Sequence, residues 1–80
     1  IKMKNELRYF LEDVIKPSID DGTFTPTYIV TAVKLPTGAV ELAVNNTNIP
    51  EKIGYILDAY DDNMLLKTNE NVQMMNIMVV

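Results

Sequence analysis

The sequence predicts a small α+β domain in the order α-β-β-α-β(β), with an antiparallel hairpin at the centre of a three- or four-stranded sheet packed by two helices. Three observations predict it. Residues 27–45, TYIVTAVKLPTGAVELAVN, set β-favouring residues on both sides of a Pro-Thr-Gly turn. Two segments, one near each end of that hairpin, carry a single apolar stripe at helical spacing. The last run, Val72 to Val80, has the length and β-branching of a strand. All 80 residues are expected to form one domain.

The first helix is predicted over residues 3–16. Met3, Leu7, Phe10, Leu11, Val14 and Ile15 recur on one face, and Asn5 or Lys4 is the candidate cap. Pro17 should end or kink it, because a proline disfavours the α region for the residue before it. Ser18 to Asp21 could add a turn that Gly22 stops. This helix is expected to dock on its own sheet or on a partner's. Glu12, Asp13, Asp20 and Asp21 read as a solvated edge. Met3-Lys4-Asn5-Glu6 reads as a natural start, with Ile1-Lys2 as additional residues.

In the hairpin, Pro36 presets φ for a type I turn and Gly38 can take φ > 0 to close a three-residue loop. Pairing Leu35 with Ala39 sets Val30 against Val44, Ala32 against Leu42 and Lys34 against Val40. Val30, Ala32, Val40, Leu42 and Val44 then share one strongly apolar face, and the other face is about half apolar. A sheet apolar on both sides calls for cover on both sides. The second helix, capped by Thr47 or Asn48 with Pro50 in its first turn, is expected on the Val30/Leu42/Val44 face. It presents Ile49, Ile53, Ile56, Leu57 and Tyr60 and should end near Asp61. Gly54 lies inside it, explained by close backbone approach or by drift. The final strand is expected in the same sheet, with Val72, Met74, Asn76, Met78 and Val80 on one face and Gln73, Met75, Ile77 and Val79 on the other.

Composition narrows the chemistry. The net charge is −4, from 7 basic and 11 acidic residues, with no basic stripe to neutralise phosphates, so direct nucleic-acid binding is disfavoured. Cysteine and histidine are both absent, which removes thiol nucleophiles, the usual zinc ligands and the commonest general base. No calcium-loop spacing follows Asp58 or Asp61. No paired carboxylates, phosphate loop or nucleophile–base set can be named. The expectation is a protein that is not an enzyme and uses no cofactor or metal. No apolar run approaches a membrane span and no signal peptide opens the chain, so a cytoplasmic location is expected. Asn45-Asn46-Thr47 matches a glycosylation sequon, which carries no weight without secretion.

Candidate ligand residues are few. Asp61 and Asp62 form an oxygen cluster at the predicted helix end, where helix-stop composition explains them equally well. Lys67, Thr68 and Asn69 could hold an anion in a turn, with Tyr60 beside them and Arg8 as the single arginine. Self-association, most simply as a two-fold dimer, is expected through the C-terminal run: Met74, Met75, Ile77, Met78 and Val79 are too many apolar side chains for two helices to hide.

The strings KLPTGAVELAVN, KIGYILDAYDDNM and LKTN, with the short apolar C-terminus, resemble small uncharacterised accessory proteins of phages and prophages of Gram-positive bacteria. The resemblance spans residues 26–80 and carries no assigned active residue. It implies an accessory protein of a bacterial host's cytoplasm, of a class that includes inhibitors of host defence and sponges for defence signals. Three readings follow: a binding protein that inhibits a host protein, a sequestering protein for a small nucleotide-like anionic ligand, and a structural homo-oligomer without ligand.

Overall fold

A computed structural model of the chain describes residues 4–80. Ile1, Lys2 and Met3, the last counted in the predicted first stripe, lie outside the described residues. The described residues form four strands: β1 (Ile29–Lys34), β2 (Val40–Asn45), β3 (Leu65–Leu66) and β4 (Asn69–Val79). They form one antiparallel sheet in the order β2-β1-β4-β3. The hairpin register is the predicted one, with Val30 opposite Val44 and Ala32 opposite Leu42. The Leu35 N–H donates to the Ala39 carbonyl at 2.8 Å and the Gly38 N–H to the Leu35 carbonyl at 2.9 Å, with Gly38 at φ +90°. Pro36-Thr37-Gly38 is therefore the three-residue loop.

The hairpin is not the centre of the sheet. β4 pairs with the free side of β1 and leaves β2 as an edge strand. Its register against β1 shifts between Ala32 and Val33, which face Asn76 and Met74 and leave Met75 as an extra residue. That bulge exchanges the faces of half the strand. Val72, Met74 and Ile77 are buried on one side, while Met75 and Met78 are exposed. Simple alternation had put Met74 and Ile77 on opposite faces. The seam expected along Met74, Met75, Ile77, Met78 and Val79 is divided for the same reason. Met74 and Ile77 belong to the core, and Val79 packs against it.

Both helical segments contribute to one core with the same sheet face. The N-terminal segment comprises α1 (Glu6–Tyr9), a π-helical stretch (Phe10–Ile15) and α2 (Lys16–Asp20). Asn5 caps it, its side-chain oxygen accepting from the Leu7 N–H at 2.8 Å. Pro17 neither ends nor breaks it. A proline has no N–H to give and crowds the carbonyl four residues back. The wider π turn before it accommodates both constraints: the Lys16 N–H reaches back to Leu11, and the Ser18 hydroxyl donates to the Val14 carbonyl at 2.7 Å. The end is a Schellman motif, with Thr23 N–H to Ser18 O at 3.0 Å, Gly22 N–H to Ile19 O at 3.2 Å and Gly22 at φ +81°. Thr23 also donates from its hydroxyl and its N–H to Asp21, which holds that exposed carboxyl below its ordinary range. The widened turn splits the predicted stripe: Leu11 and Ile15 are buried, whereas Phe10 and Val14 are exposed.

The helix α3 (Ile49–Ala59) buries Ile49, Ile53, Ile56 and Leu57 with Leu11, Ile15, Ile29, Met74 and Ile77. It therefore covers the Ile29/Thr31 side and not the Val30/Leu42/Val44 side, and the first helix does not cover the latter either. Neither Thr47 nor Asn48 caps α3 through a side chain; Asn48 takes a left-handed conformation at φ 52°. The helix stops at Ala59, short of Asp61, and Tyr60 is extended. A Cβ built on Gly54 meets nothing within 4 Å, so no close approach requires glycine there.

Two glycine substitutions should move stability in opposite directions in urea denaturation. Gly38→Val should cost about 1 kcal/mol or more, because a β-branched residue resists positive φ even where space is open. Gly54→Ala should stabilise by about 1 kcal/mol through helix propensity alone.

Candidate functional site

The residues singled out in the sequence gather in part, around the end of α3. A helix end leaves carbonyls without partners, and α3 has no basic residue in its last turn. Arg8 of α1 supplies the missing donors from outside. One terminal nitrogen of its guanidinium donates to the Tyr60 carbonyl at 2.8 Å and lies 3.4 Å from that of Asp61; the other donates to Leu57 at 3.1 Å. Its Nε lies 3.1 Å from Glu12 and 3.2 Å from Asp62. The cation thus faces the negative end of the helix dipole and two carboxylates at once. Each of its three nitrogens donates to the protein itself.

Asp61 and Asp62 build the turn that follows. The Asp61 carboxylate accepts from the N–H groups of Asn63 at 2.8 Å and Leu65 at 3.0 Å, and its carbonyl accepts from Met64 at 2.9 Å. Those bonds hold Met64 at φ 61° with its side chain fully buried. The Asp62 carbonyl accepts from the Asn5 N–H at 2.9 Å, which ties the start of the chain to this turn. Lys67 joins the group through its main chain, its N–H donating to Ala59 at 2.9 Å. The side chains of Lys67, Thr68 and Asn69 are exposed on the β3–β4 turn, where Asn69 accepts from the Asn71 N–H at 3.1 Å. Tyr60 is buried, and burial, with a smaller contribution from Tyr55, pushes its phenol above the ordinary range. No group of three or more acidic, His or Cys side chains able to hold a metal ion occurs among the described residues.

The larger feature is a surface the sequence had assigned to the core. Val40, Leu42 and Val44 of β2 are 57%, 71% and 67% exposed, and Met78 of β4 is 51% exposed beside them. Val30 and Ala32 lie between, half-buried. Main-chain polarity coincides with this patch. The Leu35–Ala39 bond sets the phase of the hairpin ladder, in which alternate residue pairs exchange bonds. Glu41, Ala43 and Asn45 therefore point their N–H and C=O groups at β1, and Val40, Leu42 and Val44 point theirs away. The mutual bonds of Tyr28 with Val80, at 3.1 and 2.9 Å, agree: Tyr28, Val30 and Ala32 face β4. Among the described residues β2 is thus an open edge, whose unpaired main-chain groups and exposed apolar side chains belong to the same residues.

No protein-family model, curated protein or solved structure matches the chain. Alternation along the hairpin made the Val40/Leu42/Val44 set visible in the sequence; which side the helices would choose was not.

Arg8→Met should destabilise the fold by about 2 kcal/mol in chemical denaturation, since it orphans the carbonyls at the end of α3 and removes hydrogen bonds from a charged donor. Arg8→Lys should recover part of that loss only, because an ammonium cannot span the Leu57 and Tyr60 carbonyls as a planar fork does.

Proposed function

We propose that the chain is a non-enzymatic protein-binding domain that works through β2, and that the occupant of its edge is a second copy of itself. The observation that carries this reading is the coincidence on Val40, Leu42 and Val44 of exposed apolar side chains and unpaired main-chain groups. Such edges are normally blunted by lysine, proline, a bulge or a covering loop. β2 contains none of the first three, and its one charge, Glu41, lies on the opposite face.

The edge is self-complementary in one register. Two β2 strands running antiparallel about a two-fold axis set Leu42 against Leu42 and Val40 against Val44, so all three outward residues exchange bonds. Moving the register toward the hairpin turn sets Glu41 against Glu41. Moving it the other way leaves Val40 without a strand partner. The centred register avoids both penalties and joins two sheets into one, with a doubled apolar stripe along the seam.

That stripe is the surface we assign to a further protein partner. The resemblance of residues 26–80 to phage and prophage accessory proteins supports an inhibitor of a host protein, acting in a bacterial cytoplasm. The lack of cysteine and histidine supports a binding role over a catalytic one. No helix among the described residues is long and apolar enough to cross a membrane.

Light scattering from low-micromolar to submillimolar concentration tests the self-pairing. A six-residue edge buries less than a standard interface, so a dissociation constant on the order of micromolar is expected. Leu42→Lys sets two ammonium groups against each other at the axis and should weaken association by about tenfold or more, while leaving the circular-dichroism spectrum unchanged. A single-chain mass for the wild type across the whole range would overturn the reading.

A further inference from the structure

The helix-covered face has its own opening. Between α3 and the sheet, lined by residues of all four strands, lies a cleft of about 340 Å³. This is at the small end of ligand sites, which run from about 300 to 1,000 Å³. Apolar side chains such as Ile56 and Met74 form its walls, and Lys52 and Glu41 contribute to its lining.

Two of its lining residues carry hydroxyls in buried surroundings. Thr31 is 4% exposed and Tyr60 7%. Neither side-chain hydroxyl makes a hydrogen bond among the described residues, and neither oxygen is sealed from outside. Both therefore open onto the cleft that they line. With no protein partner, the Thr31 hydroxyl adds no bond to the fold, and an apolar group of the same shape would bury more favourably there. At position 31, valine would supply the same branched shape and an equal preference for a strand. Threonine there adds nothing to the packing that valine would lack; what it adds is a donor and acceptor aimed into the cleft. Tyr60 supplies a second such group, its phenol pushed above the ordinary range chiefly by burial.

Lys52 lies with its Nζ 5.2 Å from the centroid of the Tyr55 ring, and neither Lys52 nor Glu41 forms an ion pair among the described residues. One positive and one negative group among the lining residues favour no net charge in the occupant. We infer that the cleft is a binding site for a small uncharged ring compound with a hydrogen-bonding edge, a phenol or a heterocyclic lactam in chemical class, whose polar edge meets the Thr31 and Tyr60 hydroxyls. Of the ligand residues expected from the sequence this site uses Tyr60; Thr31, Lys52 and Glu41 line it in place of Arg8, Asp61, Asp62, Lys67, Thr68 and Asn69. It lies on the opposite face from the protein-binding surface and stands independently of that reading.

The test is a nitrogen–proton NMR titration of the full chain with 4-ethylphenol, its anionic counterpart 4-ethylbenzoate, and uracil. Saturable shifts should centre on the amides of Thr31, Ile56, Tyr60 and Met74 with the two neutral probes, and should be at least fivefold weaker with the benzoate. Thr31→Val should weaken binding at least fivefold and at the same time raise the midpoint of thermal unfolding, a pairing that a merely structural threonine would not give. Tyr60→Phe should weaken binding without unfolding the chain. The absence of saturable shifts with both neutral probes, equal binding of the benzoate, or a Thr31→Val protein that is less stable than the wild type would each overturn the assignment.

Discussion

The bulge at Met75 is the constraint on which the layering of this domain depends. β1 presents Ile29 and Thr31 on one side and Val30 and Ala32 on the other, and β4 must match one set. Without the extra residue, Met75 would fall on the Ile29 side and Met74 and Val72 on the opposite one. With it, Val72, Met74 and Ile77 lie together and complete a single apolar face. Two helices suffice to cover that face, and no helix remains for the other. One inserted residue thus converts a sheet apolar on both sides into a two-layer domain with an open side.

Polar bonds add to packing in holding the covered layer. Arg8 links α1 to the end of α3, and the same turn receives the Asn5 N–H and the Asp61 side-chain bonds. The acidic run after α3 would oppose the helix dipole if left alone. In the fold it draws in a guanidinium that neutralises carbonyls and carboxylates together, which turns a local conflict into a clamp. The π turn ahead of Pro17 is a comparable accommodation: a proline inside a helix becomes tolerable once the preceding turn is wide enough.

The two faces of the sheet suit different kinds of occupant. The open side combines flat apolar area with an unpaired edge, which favours another strand and its side chains. The covered side holds a small concavity with two unpartnered hydroxyls, which suits a molecule rather than a macromolecule. Strand β1 contributes to both, through Val30 and Ala32 on one side and Thr31 on the other. Its alternation sets the polarity of each face, so the two surfaces are built from neighbouring residues without sharing a side chain.

Short-range physics made much of this legible in advance. The α+β class, the hairpin register, its Pro36-Thr37-Gly38 loop, the stripe of α3 and the final strand all follow from alternation, helical spacing and turn chemistry, which act within a few residues. What failed were the features set by distant partners. The role of Arg8 depends on carbonyls some fifty positions away. The added turn beyond Pro17 and its stop at Gly22 follow from local chemistry, but the π turn that carries the helix past the proline is one that propensity does not mark. The division of Met74 from Met75, and with it the covered side of the sheet, depends on where β4 bulges against β1, because a one-residue offset in one strand reverses which side chains face inward and periodicity cannot locate it. The sequence by itself determined which segments are helix and strand and how the hairpin is paired; the tertiary structure alone decided which face is buried, and therefore which residues are left to bind.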